Sequence, residues 1–130
     1  EWKANDEVEL SLPMPVEKVV SHPRVTNNNG CIALRRGPVV YCIESVDYPG
    51  TDIYNLRLPW NTELTAEFHD ELLEGVVVIT GRAEECEGMS RLYSPPVSDH
   101  GESVDFFAVP YFVWANRDPG AMRVWLPVIK

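Results

Sequence analysis

The chain has 130 residues, 45% of them hydrophobic and 24% charged, which suits one hydrophobic core, is too little for two, and is ordinary for a globular protein rather than a disordered one. Its formal net charge of -9 excludes a phosphate-backbone partner, because nucleic-acid binding needs clustered Lys and Arg, and it disfavours anionic lipid for the same reason. No apolar run approaches the roughly 20 residues of a membrane-spanning helix, and the polar opening Glu1, Lys3, Asn5, Asp6, Glu7 is unlike a signal peptide. A single domain over 1–130, without nucleic-acid or membrane partners, is the expectation.

Period-2 alternation dominates from the first residues onward, and no stretch sustains a helical period between caps. Val8, Leu10, Leu12 and Met14 alternate with Glu7, Glu9, Ser11 and Pro13, the pattern of a strand with one buried face. The run Asn27-Asn28-Asn29-Gly30 carries Asn-Gly, the strongest short hairpin signal, since both residues tolerate positive φ. Residues 31–35 and 39–44 read as strands joined at Arg36-Gly37-Pro38, where Gly permits positive φ and Pro lacks a ladder donor. If Arg36-Gly37 is a two-residue loop, Cys31 falls opposite Cys42.

Residues 45–55 form a loop by composition. Strands follow at 56–60 and 65–69, a single helical turn at 70–74 ended by Gly75, and a central strand at 76–83, where Val76, Val77, Val78 and Ile79 favour sheet over helix. Glu84, Glu85 and Glu87 open a solvated loop, 91–93 is a brief strand, and 94–103 is a loop. Residues 104–109 and 111–115 are aromatic-rich extended runs separated by Pro110. Asn116-Arg117-Asp118-Pro119-Gly120 is a turn, and Met122, Val124, Leu126 and Val128 alternate as a last strand. Eight to ten short strands with regular turn signals and no long helix predict an all-β fold, an antiparallel β-sandwich of jelly-roll type.

No chemistry-bearing constellation emerges. Cys31, Cys42 and Cys86 form neither a CxxC pair nor an even-numbered framework and read as buried free thiols, which fits a reducing, cytoplasmic compartment. His22, His69 and His100 stand apart, and the scattered thiols and imidazoles lack zinc-ligand spacing. Glu44, Asp47, Asp70 and Glu71 are the acids from which a glycosidase pair would be drawn, but among 20 acidic residues a pair arises by chance. No catalytic residue, metal site or cofactor is assigned to this chain.

Two long stretches carry a resemblance. Gly30-Cys31-Ile32-Ala33-Leu34-Arg35-Arg36-Gly37-Pro38-Val39-Val40-Tyr41-Cys42-Ile43-Glu44 is similar to the G-x-V-A-L-x-R-G-P-L-V-Y-C-x-E segment of the β-L-arabinofuranosidase-like family, glycoside hydrolase family 127. The stretch from Val109-Pro110-Tyr111 through Trp114-Ala115-Asn116-Arg117-Asp118-Pro119-Gly120-Ala121-Met122 to Trp125-Leu126-Pro127 resembles that family's I-P-Y-Y-x-W-A-N-R-x-P-G-x-M-x-V-W terminus. Residues 45–103 match only loosely.

The resemblance implies a non-catalytic domain from the C-terminal part of a bacterial glycoside hydrolase. The catalytic centre of such enzymes lies in an upstream α/α barrel, where a zinc held by cysteines and a glutamate activates a cysteine nucleophile; the adjacent cysteine pair of that site is absent from this sequence. The implied partners are that barrel and a second copy of the chain. Interface candidates are Tyr111, Phe112, Trp114 and Trp125, bulky side chains of the kind that anchor contacts, together with Arg36 and Arg117, whose guanidinium forks suit carboxylates. Gly37, Pro38, Asn116, Pro119 and Gly120 are read as structural turn residues. The other use of such aromatics, with Trp2 and Trp60, is the stacking platform of a carbohydrate-binding module.

Overall fold

The computed structural model describes residues 3, 5–88, 91–93, 95 and 101–130. Trp2, His100 and most of the loop expected at 94–103 lie outside them. The described residues hold nine β-strands, four single-turn 3-10 helices and no α-helix. The strands are β1 (Val16–Val20), β2 (Cys31–Arg36), β3 (Val39–Glu44), β4 (Leu56–Pro59), β5 (Thr65–His69), β6 (Val76–Glu85), β7 (Glu102–Pro110), β8 (Met122–Arg123) and β9 (Leu126–Ile129).

These strands build one sheet that closes on itself. Around the ring β2, β9, β4, β6, β7 and β3 follow one another, and β3 pairs back onto β2. β1 adds to β2, β5 to β6 and β8 to β3. Every pairing is antiparallel except β4–β9, which runs parallel through Leu58–Val128 and Pro59–Ile129. The fold is all-β, as expected, but it is a six-stranded mixed barrel with three added strands, which corrects the antiparallel, jelly-roll-like sandwich. Alternation looks the same in either architecture. Closure depends on β9 returning between β2 and β4, a pairing between segments far apart in the chain that local pattern does not encode.

Alternate residues fill the interior. Ile32, Leu34, Tyr41, Ile43, Leu56, Leu58, Ile79, Ala83, Phe106, Ala108 and Leu126 form one buried cluster with Tyr48 and Ile53 from the loop after β3. The Tyr48 hydroxyl donates to the Phe107 carbonyl at 2.8 Å and accepts from the Phe107 N–H at 2.8 Å, so the loop is pinned to the backbone of β7. A second, smaller cluster lies on the opposite face of β3, β6 and β7, where Cys42, Val76, Val78 and Val109 pack with Val113.

Local departures have local causes. The β2–β3 turn is Gly37-Pro38 rather than Arg36-Gly37, with Arg36 opposite Val39; Gly37 takes the positive φ of 57° that suits the first position of a two-residue hairpin turn. The two strands share two residue pairs, then diverge: Cys31 pairs with Pro127 and Cys42 with Val109. The hairpin is thus a corner of the barrel, and the cysteines do not face each other. Asn27–Gly30 is not a two-residue hairpin turn either. It contributes a 3-10 turn (Thr26–Asn28) to a longer loop between β1 and β2, with Gly30 at φ 75°.

Four expected elements are absent. Residues 7–15 are not a strand. Residues 70–75 form no helical turn, since Leu73, Glu74 and Gly75 all take positive φ; residues 91–93 are a bend. The extended run expected at 111–115 is a 3-10 turn, Tyr111–Val113, followed by Ala115 at φ 63°. The final alternating run is interrupted at Val124-Trp125, giving β8 and β9.

Candidate functional site

The end of β3 delivers an acidic side chain to a buried position. Glu44 is 4% exposed, and Asp47 follows in the 3-10 turn Ser45–Asp47. Arg117 reaches both from the turn after Tyr111–Val113. Its Nη1 donates to Asp47 Oδ1 at 2.5 Å, and its Nη2 donates to Asp47 Oδ2 at 2.7 Å and to Glu44 Oε2 at 2.6 Å. These hydrogen bonds, Asp47's first, raise the guanidinium's already high pKa against the effect of burial. The Ala115 N–H donates to Glu44 Oε1 at 3.2 Å, and Asn116 Nδ2 donates to the Val113 carbonyl at 3.0 Å. Gly120 packs against the Ser45 hydroxyl, which a Cβ there would have to displace, and the Ser45 N–H donates to the Ala121 carbonyl at 2.9 Å.

This clasp joins the last residue of the first resembling stretch to the middle of the second. In sequence Glu44 is only a chance member of an acid pair and Arg117 an interface candidate. The available signal was an acid closing an otherwise apolar strand and a base in a tight turn, opposite charges at two sites far apart in the chain. Chemically, both carboxylates accept from one guanidinium, an arrangement that fixes a loop. It offers neither the free acid nor the free nucleophile that glycoside hydrolysis needs.

The segment leading into Arg117 carries an aromatic ledge. Tyr111 is 44%, Phe112 69% and Trp114 42% exposed, and the Tyr111 and Trp114 rings stack with centroids 5.9 Å apart and planes 22° from parallel. Val113 points the other way, into the smaller apolar cluster. Trp125 is half-buried between β8 and β9 and stands apart from this group in the sequence. Arg36 is also half-buried. It lies beside Tyr41, whose phenol is raised by burial and lowered by Arg36, and whose hydroxyl donates to the Val77 carbonyl at 3.0 Å. Pro38 and Pro119 are exposed in their turns.

The remaining polar residues do not converge. Among the described residues no group of three or more His, Cys, Asp or Glu is placed to hold a metal ion. Burial, with the Glu44 and Asp47 charges, pushes the Cys42 thiol up to about 12 against the lowering effect of Arg117; a metal ligand or nucleophile needs the reverse. His22 accepts from the Arg24 N–H at 3.2 Å, and His69 lies edge-on to Phe107. A hollow of about 620 Å³ opens where β1 ends and β2 begins, lined chiefly by apolar surface from Val20, Cys31, Ile32, Trp60 and Val128.

Comparison with known proteins gives a consistent result. Residues 16–127 match the family model described as glycoside hydrolase family 127 C-terminal domain. The non-reducing end β-L-arabinofuranosidase of Bifidobacterium longum subsp. longum is 37% identical over 126 residues, covering 92% of this chain and 19% of that protein. A crystal structure of a GH127 β-L-arabinofuranosidase from Geobacillus stearothermophilus T6 superposes with a TM-score of 0.81 at 45% identity, covering 90% of this chain and 19% of that one. A further solved structure, of a glycoside hydrolase, superposes with a TM-score of 0.80 at 31% identity, covering 90% of this chain and 20% of that one. The chain therefore spans about a fifth of the length of these relatives.

Proposed function

The chain belongs to the C-terminal domain family of glycoside hydrolase family 127, and on that premise we propose that it is a non-catalytic domain of a β-L-arabinofuranosidase-like enzyme, whose task is protein contact. The observation that carries this reading is the ledge of Tyr111, Phe112 and Trp114, exposed on a turn that Arg117 ties to Glu44 and Asp47. Large aromatics on a fixed backbone make contact area at low entropic cost. The surface they meet is the catalytic barrel or a second copy of the domain, with half-buried Trp125 as a further contributor. Activity on arabinofuranosides resides in the upstream part of the longer enzyme, with any zinc that part holds.

A sugar platform is the competing use of the same residues. Tyr111 and Trp114 stack on each other and so occlude two of their faces, whereas a platform for a chain of sugars lays its rings side by side. Two measurements separate the readings. Sedimentation velocity should show the chain self-associating, or binding the separately expressed upstream part, with Phe112→Ser/Trp114→Ser abolishing the contact. A clean monomer that also ignores the upstream part would overturn the contact reading, and saturable binding of arabinose-containing oligosaccharides would replace it with the platform. Hydrolysis of an aryl arabinofuranoside by the chain alone would overturn both.

A further inference from the structure

We propose that residues 7–12 are a β-strand of a second sheet, supplied by the upstream part of the longer protein, and that this strand locks the present domain to that part. The sequence has the required pattern: Val8, Leu10 and Leu12 on one face, Glu7, Glu9 and Ser11 on the other. In this chain the apolar row has nothing to cover it, with Val8 70%, Leu10 75% and Leu12 71% exposed. Single exposed apolar residues are ordinary; a regular row of three is the signature of a contact. No backbone hydrogen bond ties residues 7–15 to the other described residues.

This segment does not continue β1 along the barrel. β1 begins at Val16, opposite Arg36, and β2 ends at Arg36, so an extension of β1 toward residue 7 would run past the Gly37-Pro38 turn with no partner. Pro13 and Pro15 lack N–H donors and punctuate the exit. Met14 is half-buried and its side chain lies against Gly37, which fixes where the segment leaves the barrel.

The partner follows from two further observations. The family model of this domain begins at residue 16, so residues 7–12 fall outside the barrel domain by sequence as well as by structure. The relatives are about five times longer than the matched region. An amphipathic strand with one charged face fits a sheet that has an open edge, one buried face and one wet face. The inference rests on the reading of this chain as one domain of a longer enzyme.

Hydrogen exchange tests it, comparing the 130-residue chain with the full-length product of its gene. Amides 8–12 should exchange at nearly the unprotected rate in the chain alone and at least about a hundredfold more slowly in the longer protein. Leu10→Lys should abolish that protection while leaving the amides of β6 and β7 unchanged. Fast exchange in both proteins would overturn the inference, as would protection that survives Leu10→Lys. Slow exchange in the chain alone would also overturn it, and a dependence on concentration there would identify a second copy as the partner. A gene with no upstream domain would instead sink the proposed function, a failure distinguishable from an upstream domain that leaves residues 8–12 unprotected.

Discussion

The barrel interior and the clasp at Glu44 and Arg117 are both withdrawn from solvent, the clasp less completely, with the Arg117 side chain 16% and that of Asp47 12% exposed, and they are held by opposite means. Inside the barrel, Ile32, Leu34, Ile43, Leu58 and Ile79 are at most 1% exposed, and what holds them is removal of apolar surface from water, which is non-directional and tolerant of shape. At the clasp, three charged side chains are held by three short hydrogen bonds, and the gain is geometric. A buried ion pair stabilises little overall, because desolvation offsets most of the attraction, but breaking it leaves a charge without a partner. The barrel thus secures stability and the clasp secures one conformation for the turn that carries Tyr111, Phe112 and Trp114.

That contrast is open to measurement, and the largest effect should come from the barrel. Ile79→Ala removes a fully buried side chain of β6, a strand bonded to β4, β5 and β7, and should cost about 2–5 kcal/mol in denaturant unfolding. A loss under about 1 kcal/mol would show that the interior collapses around the gap and is looser than native packing density implies.

Next comes the clasp. Arg117→Met should cost about 3 kcal/mol, because buried Glu44 and half-buried Asp47 are left without a cation. Adding Glu44→Gln and Asp47→Asn should return part of that loss, since neutral amides are cheaper to bury than unpaired carboxylates. Additive losses in the triple variant would mean that the three side chains do not act as a unit.

What could be read from sequence divides along the same line. Strands β2 to β7 and much of the interior were legible, because an apolar residue at every second position reports a buried face directly. The clasp was not. Glu44 and Arg117 are paired only after the chain has closed its barrel, and neither is marked by spacing. Closure was missed for the same reason, since the parallel β4–β9 pair unites distant segments. The opposite failure occurred at residues 7–14, where the alternation was seen but Val8, Leu10 and Leu12 cover no face of this domain. Pattern identifies a strand-former without naming the sheet it joins.

The ledge should separate stability from contact. Phe112→Ser alters a side chain 69% exposed and should change unfolding free energy by no more than about 0.5 kcal/mol. Its effect should appear in association, read by sedimentation. A large loss of stability would move Phe112 into the fold and leave the ledge with one aromatic fewer for a partner.

An effect confined to alkaline pH concerns Cys42, which sits in the second apolar cluster one strand position from Ile43 and two from Glu44. Its thiol is pushed up to about 12, by burial first and then by the Glu44 and Asp47 charges, with Arg117 opposing. The folded state therefore keeps this proton where the unfolded chain, titrating near the ordinary thiol value of 9.0, gives it up. The stabilisation is complete below that value and is lost as pH rises through the folded value, so unfolding free energy should fall between pH 9 and 12, with Cys42 contributing a slope of at most about 1.4 kcal/mol per pH unit. Cys42→Ala should flatten that slope without abolishing it, because burial raises the Tyr48 phenol as well and acts with the same sign. Near neutral pH an alkylating reagent should modify half-buried Cys31 well before Cys42. Equal labelling of the two would show that the clasped end opens on its own, and would reverse the comparison by making the ion pair a hinge rather than a lock.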